Sequence, residues 1–169
     1  MKLLIKSFLI LLLTGQAYAS LAQNCKVPRS RVKSNETETL GESVSSKDFY
    51  TLLIEKTFYK IDKTKTPEYA ITLVAASRVA FSDSMLTTKG TFEFTLADNS
   101  VIVATNVRLE NFTALSSLAF SATIDEDKFK AITKSPIVTV KVKEINLVTA
   151  FADKKQKQMQ AICACLLTK

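Results

Sequence analysis

The sequence predicts an α+β domain with a mainly antiparallel sheet of about seven strands, bent or closed into a partly open barrel, and packed on a C-terminal helix. Two observations predict this class. Residues 49–151 contain short segments rich in Val, Ile, Thr and Phe, several of which alternate apolar and polar residues as half-buried strands do. The last segment has apolar residues at helical spacing, and this stripe needs a sheet face to cover it. A β-sandwich with an edge helix is the alternative.

The N-terminus has the features of a secretory signal peptide. Lys2 and Lys6 give a positively charged start, an apolar run over residues 7–13 follows, and Ala17-Tyr18-Ala19 supplies small residues at the cleavage positions. We assign residues 1–19 to the signal peptide, with a second acceptable cut after Ala22. The run is shorter than the roughly 20 residues of a spanning helix, so we expect no transmembrane segment in the mature chain.

Cleavage after Ala19 leaves 150 residues, the length of one domain, and lowers the formal net charge from +7 to +5. Residues 20–48 are polar and basic and show no apolar period, so they are predicted to be a tail or linker. Residues 49–169 form a single β-rich domain. The signal places this domain in the periplasm, at the cell surface or outside the cell.

The strands follow in order from residue 49. Segments 51–61 and 68–77 are rich in β-forming residues, and residues 62–67 break the chain between them. The clearest hairpin is TFEFTLADNSVIVATNV (91–107), in which Asp98-Asn99 supplies turn residues that tolerate positive φ. Gly90 marks the start of its first strand. Further strands are predicted at 117–124, at 136–145, where Val138, Val140 and Val142 share one face, and at 145–151.

Two helices complete the prediction. Asp125 is the expected N-cap of a short helix that turns Phe129 and Ile132 inward, and Pro136 prevents its extension. Asp153 is expected to cap the last helix, residues 153–167. The apolar stripe of that helix consists of Met159, Ile162, Cys163 and Leu166.

The composition removes several chemistries. The chain has no histidine, which excludes Ser-His-Asp and Cys-His catalysis and any zinc site that needs imidazole. It has three glycines, too few for a glycine-rich phosphate loop. We therefore expect no cofactor and no metal. Nor do we expect nucleic acid as a partner, because an exported chain rarely meets it and no basic-aromatic platform is present.

The three cysteines are the candidate site residues. Cys163 and Cys165 form a C-x-C pair that a helix sets about 200° apart, so they do not bridge each other. In an oxidising compartment the predicted partner is Cys25, joined to Cys165 or Cys163 across a loop nominally worth about 4–5 kcal/mol. Cys163 lies on the apolar stripe and is the better core residue, so Cys165 is the better bridging residue. The alternative is that no cysteine is bonded.

Two segments carry a resemblance to known proteins: SLAFSATIDEDKFKAITKSPIVTVKVKEINLVTAFADKKQKQMQAICACL and the hairpin KGTFEFTLADNSVIVATN. Together they resemble small exported Bacteroidota proteins of unknown function. The resemblance covers residues 68–167 and implies a soluble β-rich envelope module, with no catalytic residues to carry over. Asp83-Ser84-Met85 resembles the O-glycosylation acceptor of that phylum, which makes Ser84 a candidate glycan site. A plain turn is the alternative.

These observations lead us to expect an exported, non-enzymatic binding or structural module of the periplasm or cell envelope. Its partner would be an envelope protein, a peptide or a glycan, bound through a sheet face or edge. One alternative is a small hydrolase with paired carboxylates, since sixteen acids are present but no spacing singles out two. The other is a barrel-like carrier of an apolar ligand.

Overall fold

The computed structural model describes residues 29–48, 50–75, 90–112, 117–143 and 146–169. Within these ranges the chain forms nine strands and two helices. In chain order they are β1 Arg29–Lys33, β2 Thr37–Ser45, β3 Tyr50–Tyr59, β4 Glu68–Ala75, β5 Gly90–Leu96, β6 Val101–Phe112, β7 Ser117–Ile124, α1 Glu126–Lys134, β8 Ile137–Val142, β9 Leu147–Ala150 and α2 Asp153–Thr168.

The long strand β6 gives the sheet its bend. All strand pairs are antiparallel, and the spatial order is β1-β2-β3-β4-β7-β6-β5-β8-β9. The first part of β6, as far as Val107, pairs with β5, whereas residues 108–112 pair with β7. We call β1, β2, β3, β4, β7 and the end of β6 sheet A, and the start of β6 with β5, β8 and β9 sheet B. Neither sheet closes, so the predicted class of an open, bent antiparallel sheet is confirmed.

One core lies inside the bend. Alternate residues of the strands point into it, and its aromatic centre connects the two sheets. The ring of Phe92 on β5 lies 5.4 Å from that of Phe94 and 6.4 Å from that of Phe120 on β7, both in edge-to-face contact.

Helix α2 packs across both sheets, because it contacts β2 and β3 of sheet A and β8 of sheet B. Its predicted apolar stripe is confirmed: Met159, Ile162, Cys163 and Leu166 are all buried. The shorter α1 packs on α2 and β4. Its Phe129 is buried, as predicted, and stacks on the ring of Tyr69 with centroids 4.4 Å apart.

The starts of the two helices differ in detail from the prediction. Asp125 is the N-cap residue of α1, but its side chain makes no capping hydrogen bond and lies instead 3.4 Å from the Lys128 ammonium. The N-cap of α2 is Ala152, so Asp153 belongs to the first turn. There its carboxylate still complements the positive end of the helix dipole.

The prediction that residues 20–48 form a tail or linker is wrong for residues 29–48. Strand β2 pairs with β3 along its whole length, from Thr37 opposite Tyr59 to Ser45 opposite Thr51, and Val44 is buried. Gly41 allows β2 to approach β3 closely, because a Cβ atom at this position would lie 3.0 Å from the carbonyl oxygen of Ile54 on β3. The strand was missed because Glu42 interrupts the apolar residues Leu40 and Val44 on its core-facing side and the other side is polar.

The predicted alternation of buried and exposed residues along β8 is also partly wrong. Ile137, and not Val138, is buried with Val140 and Val142. The reason is a β-bulge: Leu96 pairs with Ile137 and Thr95 with Thr139, which leaves Val138 as the extra residue. The adjoining hairpin follows the prediction, since β5 starts at Gly90 and Asn99 has a φ of 67°.

Candidate functional site

The outer face of sheet B is the side of that sheet turned away from the core. Phe92, Phe94 and Leu96 of β5 point inward, so the residues between them point outward. The same alternation applies to β6, β8 and β9. The outer face of sheet B consists of Thr91, Glu93 and Thr95 on β5, Val101, Val103 and Thr105 on β6, Thr139, Lys141 and Lys143 at β8, and Val148 and Ala150 on β9.

Strand register arranges this face in rows. In the first row Val103 lies opposite Glu93, Glu93 opposite Lys141, and Lys141 opposite Val148. In the second row Val101, Thr95, Thr139 and Ala150 follow one another in the same way. Directly opposed residues have Cβ atoms about 5 Å apart, so each row is a continuous strip of side chains.

Three large apolar side chains on this face remain accessible. Val101 and Val148 are each 54% exposed and Val103 is 41% exposed. The described helices pack inside the bend and leave these valines uncovered. The face therefore has apolar ends, an opposed acid and base in the middle, and hydroxyl groups beside them. Such a surface can bind another flat surface, but it holds no set of groups for proton or group transfer.

The two edges of sheet B are protected against pairing with a further strand. Among the described strands the start of β6 is an edge, because β7 pairs only with residues 108–112. Lys128 of α1 reaches this edge, where its ammonium donates to the Val103 carbonyl oxygen at 3.4 Å. The opposite edge, β9, is only four residues long. Short strands and edge lysines discourage pairing with another strand, so the face is a better docking surface than either edge.

A second notable site is the buried cation Lys56 on β3. It follows Leu52 and Ile54 on the core-facing side and is only 5% exposed. Its Nζ donates to the Leu166 carbonyl oxygen at 2.9 Å, in the last turn of α2. The ring centroids of Phe58 and Tyr69 lie 4.8 and 5.3 Å from the same nitrogen.

Burial lowers the pKa of Lys56, and the nearby Glu126 carboxylate opposes this shift. Burial raises the pKa of Tyr69, with a further contribution from Glu126. A lysine with a lowered pKa can serve as a nucleophile. Here, however, the ammonium is held by the negative end of the α2 dipole and by two aromatic rings, so its evident role is to anchor the helix end.

The predicted cysteine site is only partly within the described residues. Cys163 is a buried free thiol, and burial raises its pKa. Cys165 is also buried, and no disulfide joins two described residues. Cys25 lies outside the described residues, so the Cys25–Cys165 bridge stays a prediction. Ser84 also lies outside them, as does the signal peptide.

The described buried residues include no carboxylate, and no group of three or more metal-ligating side chains occurs among the described residues. Two exposed carboxylates, Glu126 and Asp127, share the Lys130 ammonium. The carboxyl pKa values that depart from their ordinary values are all lowered. Hydrogen bonds from Thr64 and Ser100 lower the pKa values of Asp62 and Asp98, and a hydrogen bond from Lys130 lowers that of Glu126. A general acid needs the opposite shift.

Neither the buried Lys56 nor the outer face of sheet B was predicted from the sequence, although the sequence contains a signal for Lys56. The period-two pattern Leu52, Ile54, Lys56 sets a lysine on a core face. The rows of the outer face of sheet B join residues up to 55 positions apart, from Glu93 to Val148, and only the strand order brings them together.

No protein-family model, curated protein or solved structure matches this chain. In the described part of the chain, neither helix combines the length and the apolarity needed to cross a membrane. Function must therefore be inferred from the residues and geometry of the chain itself.

Proposed function

We propose that this chain is an exported binding or structural module of the periplasm or cell envelope, which engages its partner through the outer face of sheet B. The observation that carries the proposal is the exposure of Val101, Val103 and Val148 on one uncovered sheet face. Antiparallel sheets that face water normally place polar residues on that side. Exposed apolar groups on one sheet face, here at both ends of a row with a charged pair between them, can contribute to an interaction site.

The chemistry of this face favours a protein surface over a glycan. Sugars are commonly held by aromatic platforms, and no residue of the outer face of sheet B is aromatic. Valine and threonine side chains instead suit close packing against another protein, with the opposed Glu93 and Lys141 fixing the orientation.

Export is supported by the sequence pattern of residues 1–19. The charged start, the short apolar run and the small residues before Ala19 together are typical of cleaved secretory signals. Neither alternative function has a specific observation in its favour. The shifted carboxyl pKa values are lowered, and α2 occupies the bend in which a carrier would need an apolar cavity.

The test uses site-specific photo-crosslinking in the native host. A benzophenone amino acid replaces Val103 or Val148, and the matched control replaces Thr123, an exposed residue on the outer face of sheet A. We expect discrete crosslinked species from positions 103 and 148 in the exported fraction, and none from position 123. The intact mass should show a chain that starts at Ser20 or Gln23. Equal crosslinking at all three positions, or none at 103 and 148, would overturn the proposal.

A further inference from the structure

We infer that the partner of the outer face of sheet B is a second copy of this chain, packed face to face about a twofold axis. The inference rests on the proposed function, because it requires that this face binds a partner. It is carried by the order of side chains in the two rows, which is self-complementary.

The first row reads Val103, Glu93, Lys141, Val148 across the four strands. Consider a twofold axis parallel to the strands that passes between Glu93 and Lys141. Rotation about this axis inverts the order of the strands but keeps each row at the same position along the strand direction. Glu93 then faces Lys141 of the second copy, and Lys141 faces Glu93 of the second copy.

The same rotation matches the ends of the rows. Val103 faces Val148 of the second copy at both ends of the first row. In the second row, Val101 faces Ala150 of the other copy, and Thr95 faces Thr139. Apolar groups meet apolar groups, hydroxyls meet hydroxyls, and each charge meets its opposite, which is the condition for an isologous interface.

The backbone geometry is also suitable. An axis parallel to the strands leaves the strand directions of the two copies nearly aligned, and aligned packing at about 30° is the common arrangement of two stacked sheets. The remaining cation, Lys143, lies beside β5, where its backbone N–H donates to the Thr91 carbonyl oxygen at 3.1 Å. The rotation sets it near Thr91 of the other copy and not opposite a like charge.

The size of the face limits the strength of the dimer. Four strands at a spacing of about 4.8 Å and three residues per strand face cover roughly 400 Å². A standard interface buries about 800 Å² on each partner. We therefore expect a weak, reversible dimer, which must be measured over a wide range of concentration.

The experiment is sedimentation velocity on the mature chain from micromolar to near-millimolar concentration. Glu93→Lys and Lys141→Glu are compared singly, as an equimolar mixture, and as the double swap in one chain. Both side chains lie on the outer face, so the core is unchanged. Asp48→Lys and Lys47→Glu make the same charge changes at exposed positions outside the face and serve as matched controls. Circular dichroism confirms that each variant remains folded.

We expect the wild-type chain and the two controls to shift from monomer to dimer as concentration rises. Each single reversal should weaken the dimer about tenfold or more, because two like-charge contacts replace two opposite-charge contacts. The mixture should restore the dimer, since the lysine introduced at position 93 of one variant then meets the glutamate introduced at position 141 of the other. The double swap should restore it within one chain.

A wild-type chain that is monomeric throughout would overturn the inference, as would single reversals that dimerise like the controls. The two proposals fail separately. If position 103 crosslinks to a different protein while the chain stays monomeric, the binding face stands and the second copy is wrong. If position 103 gives no crosslink and the chain stays monomeric, both are wrong. A crosslinked species of twice the chain mass agrees with both.

Discussion

Lys56 is the residue at which charge and burial conflict most directly. Its ammonium lies under the end of α2, where it satisfies the Leu166 carbonyl oxygen that the helix leaves without a partner. The rings of Phe58 and Tyr69 provide further favourable contacts for the cation. These interactions keep a charged group inside the core, but burial still lowers its pKa.

This shift predicts a pH dependence of stability that Lys56→Met should remove. In the unfolded chain Lys56 has the ordinary pKa of 10.5, so between its lowered folded pKa and 10.5 the unfolded state binds more protons. The contribution of Lys56 to the free energy of unfolding therefore rises with pH through this window and is lost as pH falls. We expect wild type to gain stability relative to Lys56→Met as the pH rises toward 10.5 in urea unfolding.

The control for this measurement is Lys134→Met, which changes an exposed lysine at the end of α1. The stability difference of Lys56→Met from wild type should change with pH more than that of Lys134→Met. A constant difference for Lys56→Met would show that the burial of Lys56 does not perturb its titration.

The cysteines give the second prediction at this scale. Burial raises the pKa of Cys163 and disfavours the reactive thiolate, so iodoacetamide should not modify it in the native chain. If Cys25 and Cys165 are bridged, unfolding without reduction should expose Cys163 alone. Reduction should then make all three cysteines reactive. The readout is the intact mass of chain purified without reductant.

Cys163→Ala is the matched variant, because it should lower each count after unfolding by one. Two or three modified cysteines before reduction would contradict the predicted bridge. Modification of Cys163 in the folded chain would contradict its shielding by the core.

At the scale of elements, local periodicity was enough to predict the helices and the central hairpin. The stripe of α2 and the alternation of β5 both lie within one continuous segment, so the pattern of burial can be seen without knowledge of the fold. Strand β2 shows the limit of this reasoning. Its core-facing residues Leu40 and Val44 are separated by Glu42, which lies opposite Ile54 in the paired register, and the pattern is lost.

The candidate site depends on relations that a local pattern does not contain. The bulge at Val138 sets which side of β8 faces outward, and it arises from the pairing with β5. The change of partner along β6, from β5 to β7, decides where sheet B ends. Alternation alone predicts that Lys141 and Glu93 face away from the core, but only the strand order brings them side by side.

At the scale of the whole molecule, the two sheets share a single core, and α2 crosses between them. Strand β2 is part of this arrangement, because it packs on α2 and contributes the buried Val44. Strand β1 lies at the margin of sheet A and, among the described strands, pairs only with β2. The two N-terminal strands should therefore differ greatly in their importance for folding.

Two truncations test this difference. One begins at Ser34 and lacks β1, and the other begins at Asp48 and lacks both β1 and β2. Both lack Cys25, so the comparison between them measures the contribution of β2 and not that of a disulfide. We expect the chain from Ser34 to unfold in one cooperative thermal transition by near-ultraviolet circular dichroism. The chain from Asp48 should show none, because α2 loses part of its supporting surface and β3 becomes an exposed edge. If both chains unfold cooperatively at similar temperatures, β2 is dispensable and the folded domain begins near residue 49, as the polar sequence of residues 20–48 predicted.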